Sequence, residues 1–216
     1  LIEPGTGAVS AAEQAPTVPD GGPSGVARSI NAMAVVGPDE VWVSSADGIE
    51  LRHGGTGRVT TRLTHDRRKR WGLAANNVVA LLRERSGGMW VGSYGGGLQR
   101  HSPGSGLWVR HGEGDGLLAE GDVRSLHQLS NGDIWAGMGE RGVAVFDAQL
   151  RHVGQIPPQT VISRAGAHVF KGGLVGAITQ TADGSVWLGA DGTIHQFNAQ
   201  RQLLRSYVAG QGRARR

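Results

Sequence analysis

The side chains in this sequence that can hold a ligand gather in three places. The run Arg67-Arg68-Lys69-Arg70-Trp71 sets four cations beside an indole. Guanidinium forks take carboxylate, sulfate or phosphate through paired hydrogen bonds, and an indole offers an apolar face to a sugar ring. Tyr94 adds a phenol, and Glu140-Arg141 adds a further charge pair. Together they describe recognition of an anion or an acidic carbohydrate. The plainer reading makes the run a solvated basic loop with Trp71 capping the core, and Glu140-Arg141 a surface pair.

Chemistry beyond binding has no legible constellation. There is no Gly-x-Ser-x-Gly nucleophile elbow. The absence of cysteine removes thiolate nucleophiles, disulfides and Cys-based metal sites. Eight histidines show no metal-ligand spacing; His53 and His101 each stand eleven residues after a tryptophan, which reads as a repeat position. Gly95-Gly96-Gly97 has no following helix to bring a dipole to a phosphate. Glu113 and Asp115 lie in a glycine-rich link, where spacing cannot define a catalytic pair. No catalytic residue, metal or cofactor is therefore expected. The net charge of +4 and pI near 10.3 come largely from the 67–70 run and the Arg213-Ala-Arg-Arg216 tail. Eleven aromatics, four of them committed to a repeat, leave little for stacking bases, so nucleic acid is not the expected partner. No run of 18 apolar residues is present to span a membrane.

The elements that must position these groups recur four times. Val41-Trp42-Val43-Ser44, Met89-Trp90-Val91-Gly92, Ile134-Trp135-Ala136-Gly137 and Val186-Trp187-Leu188-Gly189 are copies of one phrase, with tryptophans 48, 45 and 52 residues apart. Twelve residues before each tryptophan stand Ile30, Val78, Val123 and Val175; nine before stand Met33, Leu81, Leu126 and Ile178. Turn pairs follow: Ser86-Gly87, Asn131-Gly132 and Asp183-Gly184, with Gly37-Pro38-Asp39 in the first copy. A third apolar stretch opens at Ile49, Leu98, Val143 and Ile194, and a fourth covers 58–63, 106–111 and 203–208.

A period of this size marks stacked or radial supersecondary units. The expected fold is all-β, with propeller blades built as four-stranded antiparallel meanders packed face to face. An indole buries roughly 150–250 Å², so Trp42, Trp90, Trp135 and Trp187 are expected to fill the gaps between blades. Gly92, Gly137 and Gly189 are expected where backbones approach closely. Blades are placed at 26–66, 77–112, 121–155 and 173–210, with a partial blade and link at 1–25 and a disordered basic tail at 211–216. The partial copy lacks its tryptophan half, so the chain is expected to be part of a longer propeller, commonly seven-bladed; a closed five-bladed ring is the other reading.

The stretch from Val78 to Leu98, with its turn at Ser86-Gly87, its Trp90-Val91-Gly92 and its Gly96-Gly97-Leu98, resembles the two-component regulator propeller repeat. Asp115-Gly116-Leu117 followed by Asp122-Val123 is similar to that family's link between blades, and Trp71-Gly72-Leu73 with Asn77-Val78 is a looser version. Ser44 in place of glycine and the long stretch 155–173 depart from the pattern. The resemblance implies the periplasmic sensor region of a bacterial histidine kinase or diguanylate cyclase, with a small molecule or oligosaccharide as ligand. A homodimer through the parent protein is compatible with it.

In a propeller, the loops between second and third strands and the links between blades share one face around the axial mouth. Those loops are 45–48, 93–96, 138–141 and 190–192; the links are 65–76, 111–122 and 156–173. Arg67, Arg68, Arg70, Trp71, Tyr94, Glu140 and Arg141 all fall there. Two other readings stay open. A streptogramin-lyase-like propeller enzyme would draw on His127, His168 and His195 with a divalent metal. A protein-binding scaffold would use the rim or face.

Overall fold

The computed structural model describes residues 29–69, 72–102, 104–111, 121–139, 141–163 and 166–208. The partial blade expected at 1–25, Arg70, Trp71, Glu140 and the tail at 211–216 lie outside the described residues. Among the described residues every regular element is a strand, and no helix is long and apolar enough to cross a membrane.

Four sheets follow one another along the chain. The first joins β1 (Ala32–Gly37), β2 (Glu40–Ser45), β3 (Gly48–His53) and β4 (Val59–Leu63). The second joins β5 (Val78–Arg83), β6 (Met89–Ser93), β7 (Gly97–Ser102) and β8 (Leu107–His111). The third joins β9 (Val123–Gln128), β10 (Ile134–Met138), β11 (Val143–Phe146) and β12 (His152–Ile156). A hairpin of β13 (Gln159–Ser163) and β14 (Gly166–Phe170) comes next. The last sheet joins β15 (Val175–Gln180), β16 (Val186–Ala190), β17 (Thr193–Phe197) and β18 (Leu203–Val208).

Each sheet is an antiparallel meander in sequence order, as a period-2 pattern broken by tight turns dictates. The turn glycines Gly87, Gly132 and Gly184 have φ of +98°, +98° and +85°, angles at which a Cβ is strained. In the first sheet Pro38-Asp39 makes the turn instead, between the paired residues Gly37 and Glu40. Consecutive sheets meet through their first strands, β1 on β5, β5 on β9 and β9 on β15. These are blades of a β-propeller, and the core lies in the seams between them.

Three tryptophans fill those seams. Trp42, Trp90 and Trp135 are at most 1% exposed. Each meets a ring on the third strand of the next blade: Trp42 and His101 at 5.4 Å, Trp90 and Phe146 at 5.2 Å, Trp135 and Phe197 at 6.4 Å. Trp187 departs from the expectation. It is half-buried and stacks on Tyr207 of its own sheet at 5.9 Å, because no described sheet packs on that face. The glycines two residues on follow the same logic. A Cβ on Gly92 would sit 2.7 Å from Val123 Cγ1, and one on Gly137 would sit 2.7 Å from Val175 Cγ1. At Gly189 the nearest atom is Ala177 Cβ of its own sheet at 3.5 Å.

The structure corrects three local readings. His53 and His101 do not share a register. His101 pairs with Met89, whereas Val41 pairs with Arg52 and His53 falls opposite Glu40. The turn between β2 and β3 is one residue shorter than that between β6 and β7, so Arg52 stands where His101 stands. The third blade has a fourth strand, β12, that its sequence does not announce. The stretch 156–173 is not a plain link but carries the β13–β14 hairpin, which packs on β18. Gln159 Oε1 accepts from Leu203 N at 3.2 Å, His168 Nδ1 accepts from Ser206 N at 3.2 Å, and Phe170 meets Phe197 edge-on at 5.4 Å.

Two ionisable groups are built into the Trp90 seam. Glu84 accepts from Trp90 Nε1 at 2.5 Å, from Ser86 Oγ at 2.5 Å and from Arg100. Burial alone pushes its carboxyl up, but the bonds from Arg100, Ser86 and Trp90 together outweigh it and hold it below its ordinary value. His111 stacks on Trp90 with ring centroids 4.6 Å apart. Burial, aided by the Arg100 charge, lowers its pKa to about 4.

Candidate functional site

One cavity of about 310 Å³ gathers charged and apolar groups at the loop end of the blades. Its walls come from three successive blades. Tyr94 follows β6 in the second blade. Asp122 and Arg124 lie at the start of β9, with Met138, Gly139 and Arg141 around the β10–β11 turn of the third. Leu174 leads into β15 of the fourth. The volume is at the small end of the ~300–1,000 Å³ typical of small-molecule sites.

Strand alternation sets Arg124. Its neighbours Val123 and Ser125 are buried, and Ser125 Oγ donates to Val175 O at 2.7 Å in the next blade. Arg124 is therefore turned to the other side of β9. Its Cζ lies 4.9 Å from the Tyr94 ring centroid, within cation–π range. Its Nη2 is 3.5 Å from Asp122 Oδ2, a long contact, and its buried Nε has no hydrogen-bond partner among the described residues.

Asp122 ties the loops together. Its carboxylate accepts from Gly95 N at 3.0 Å in the second blade, and its carbonyl accepts from Gly139 N at 2.9 Å. Tyr94 is anchored through its backbone N–H to Asn77 O at 2.8 Å, leaving its side chain 50% exposed. The arrangement presents two guanidinium groups, one carboxylate and a phenol beside the apolar Met138 and Leu174. Such a set has the chemistry to suit a small molecule with an anionic group and an apolar body.

Of the residues expected from sequence, Tyr94 and Arg141 line this cavity. Arg67 and Arg68 do not; both are exposed on a turn held by Asp66, whose Oδ1 accepts from Arg68 N at 3.0 Å. Arg124, Asp122, Met138 and Leu174 were not anticipated as site residues. A signal for Arg124 existed: the equivalent position is Asn31, Val79 and Gly176 in the other copies, so one charged side chain interrupts an otherwise uncharged position. The histidines of the enzyme reading do not assemble at this cavity. His168 and His195 both reach Ser206 on β18, at 3.2 and 2.9 Å, while His127 lies on β9 opposite Trp135. Among the described residues no group of three His, Cys, Asp or Glu is placed to hold a metal.

Residues 72–95, which include Tyr94, match the family model described as two component regulator propeller. Those residues carry the two component regulator propeller repeat. No curated protein matches it. Its fold is similar to solved propeller structures. The extracellular domain of BT3049, described as a hybrid two component system of B. thetaiotaomicron, aligns with a TM-score of 0.63 at 20% identity, over 83% of this chain and 22% of that one. The extracellular domain of BT4673, described as a one component system of B. thetaiotaomicron, aligns with a TM-score of 0.61 at 18% identity, over 85% of this chain and 23% of that one. The computationally designed protein Ika8 aligns with a TM-score of 0.57 at 18% identity, over 84% of this chain and 50% of that one. The chain spans half or less of the length of each of those chains.

Proposed function

We propose that this chain is the sensing propeller region of a bacterial two-component-type signalling protein. It is non-catalytic, lies outside the cytoplasm, and binds a small molecule or oligosaccharide. Occupancy is relayed to a kinase or cyclase module elsewhere in the protein. The repeat match and the likeness to extracellular domains of signalling proteins support this class.

The observation that carries the reading is that one cavity is walled by three consecutive blades. A ligand there touches Tyr94 of the second blade, Arg124 and Arg141 of the third and Leu174 at the lead-in to the fourth. Its binding energy is therefore spent between blades, where it biases how they pack. A ligand shifts such an equilibrium only by its differential affinity for the two arrangements. The test is deletion of residues 29–208 from the full-length signalling protein. Ligand-dependent kinase or cyclase output should vanish; output that still responds to ligand refutes the proposal.

A further inference from the structure

The Arg124 guanidinium is held but under-used. It lies over the Tyr94 ring at 4.9 Å, and among the described residues its nearest carboxylate oxygen is Asp122 Oδ2 at 3.5 Å and its buried Nε has no hydrogen-bond partner. A guanidinium in that state has hydrogen-bonding capacity left for a planar acceptor. The donors of a guanidinium match the two oxygens of a carboxylate, and the paired bonds are charge-assisted. A second guanidinium, Arg141, lines the same cavity, whose wall also includes Gly121, Gly139 and the apolar Met138 and Leu174.

We propose that this cavity selects a carboxylate-bearing ligand, with Arg124 taking the carboxylate in place of Asp122. The assignment rests on the sensing function proposed above and narrows it to one ligand class. Asp122 is then a competing internal counter-ion. It is also a clamp, since its Oδ1 accepts from Gly95 N of the second blade at 3.0 Å. Transfer of Arg124 from Asp122 to the ligand acts on two ties across one seam, the Arg124–Tyr94 stack and the Asp122–Gly95 bond. Arg124 is the specificity residue of the cavity and Asp122 sets its threshold.

The 216-residue chain can be titrated with glucuronate and galacturonate, each against its uncharged amide and against glucose and galactose, by calorimetry and thermal shift. The acids should bind and the amides should bind about tenfold or more weakly, the value of a charge-assisted pair over a neutral one. Arg124→Met should lose the preference for acid over amide, with its ligand-free melting temperature as the control for folding. Asp122→Asn should bind the acids more tightly than the parent. If Arg124→Met is unstable, Arg124→Lys must still weaken the acids selectively, because an ammonium lacks the fork. Equal binding of acid and amide, or no acid binding at all, overturns the carboxylate assignment. A neutral sugar that binds and is indifferent to Arg124→Met overturns it while leaving the sensing function standing.

Discussion

Gly92→Ala and Gly189→Ala are the same substitution at the same place in two copies of one repeat, and their outcomes should have opposite signs. At Gly92 the new methyl would lie 2.7 Å from Val123 Cγ1 and 3.0 Å from the Val123 carbonyl oxygen. Val123 is fully buried in the next blade, so neither atom can withdraw without opening the seam. Overpacking of this kind costs about 1–3 kcal/mol. The same methyl reduces the freedom of the unfolded chain, which offsets about 0.4–1 kcal/mol. The net loss should be about 1–2 kcal/mol, or about 2–8 °C in melting temperature for a domain of this size. At Gly189 the nearest atom is 3.5 Å away, an ordinary contact, and the backbone is not in the left-handed region. Only the unfolded-state effect remains, so Gly189→Ala should stabilise by about 0.4–1 kcal/mol. Urea unfolding and thermal melts of both variants measure the difference directly. Equal destabilisation by the two substitutions would sink the reasoning, since it would mean that the Trp187 face is as closely covered as the Trp90 face.

Two further predictions concern buried ionisable groups. His111 has a folded pKa near 4 against an ordinary 6.5, so between those values the unfolded chain binds more protons than the folded one. Stability should therefore fall as pH drops from about 6.5 to 4 and level off below, by up to about 3 kcal/mol from this group. His111→Gln should flatten that slope in denaturant melts across pH; His101, His127 and His195 are shifted in the same direction, so a shallower slope should persist. Glu84→Ala leaves Arg100 beside an emptied carboxylate site and Trp90 Nε1 without its acceptor. It should cost about 3–5 kcal/mol, the usual penalty for breaking a buried pair from one side, and adding Arg100→Ala should cost less in that background than alone.

Much of the blade was legible without coordinates because short-range rules specify it. Ser86-Gly87, Asn131-Gly132 and Asp183-Gly184 fix turns, and the alternating apolar positions around Trp42, Trp90, Trp135 and Trp187 fix which side of each strand is buried. The site was legible only in part. Tyr94 and Arg141 could be placed because their loops follow from the repeat. Arg124 sits inside a strand, where its charge departs from the other copies, but only the tertiary structure sets it over Tyr94 of another blade.

By itself, then, the sequence determined that similar sheets stack with tryptophan and glycine at fixed places, since these are properties of one unit repeated. Tertiary structure decided what the neighbours do to each copy. The hairpin seated on β18, the half-covered Trp187 and the cavity around Arg124 all arise between units. Contacts between residues from different blades depend on the relative placement of whole sheets, which no local pattern encodes.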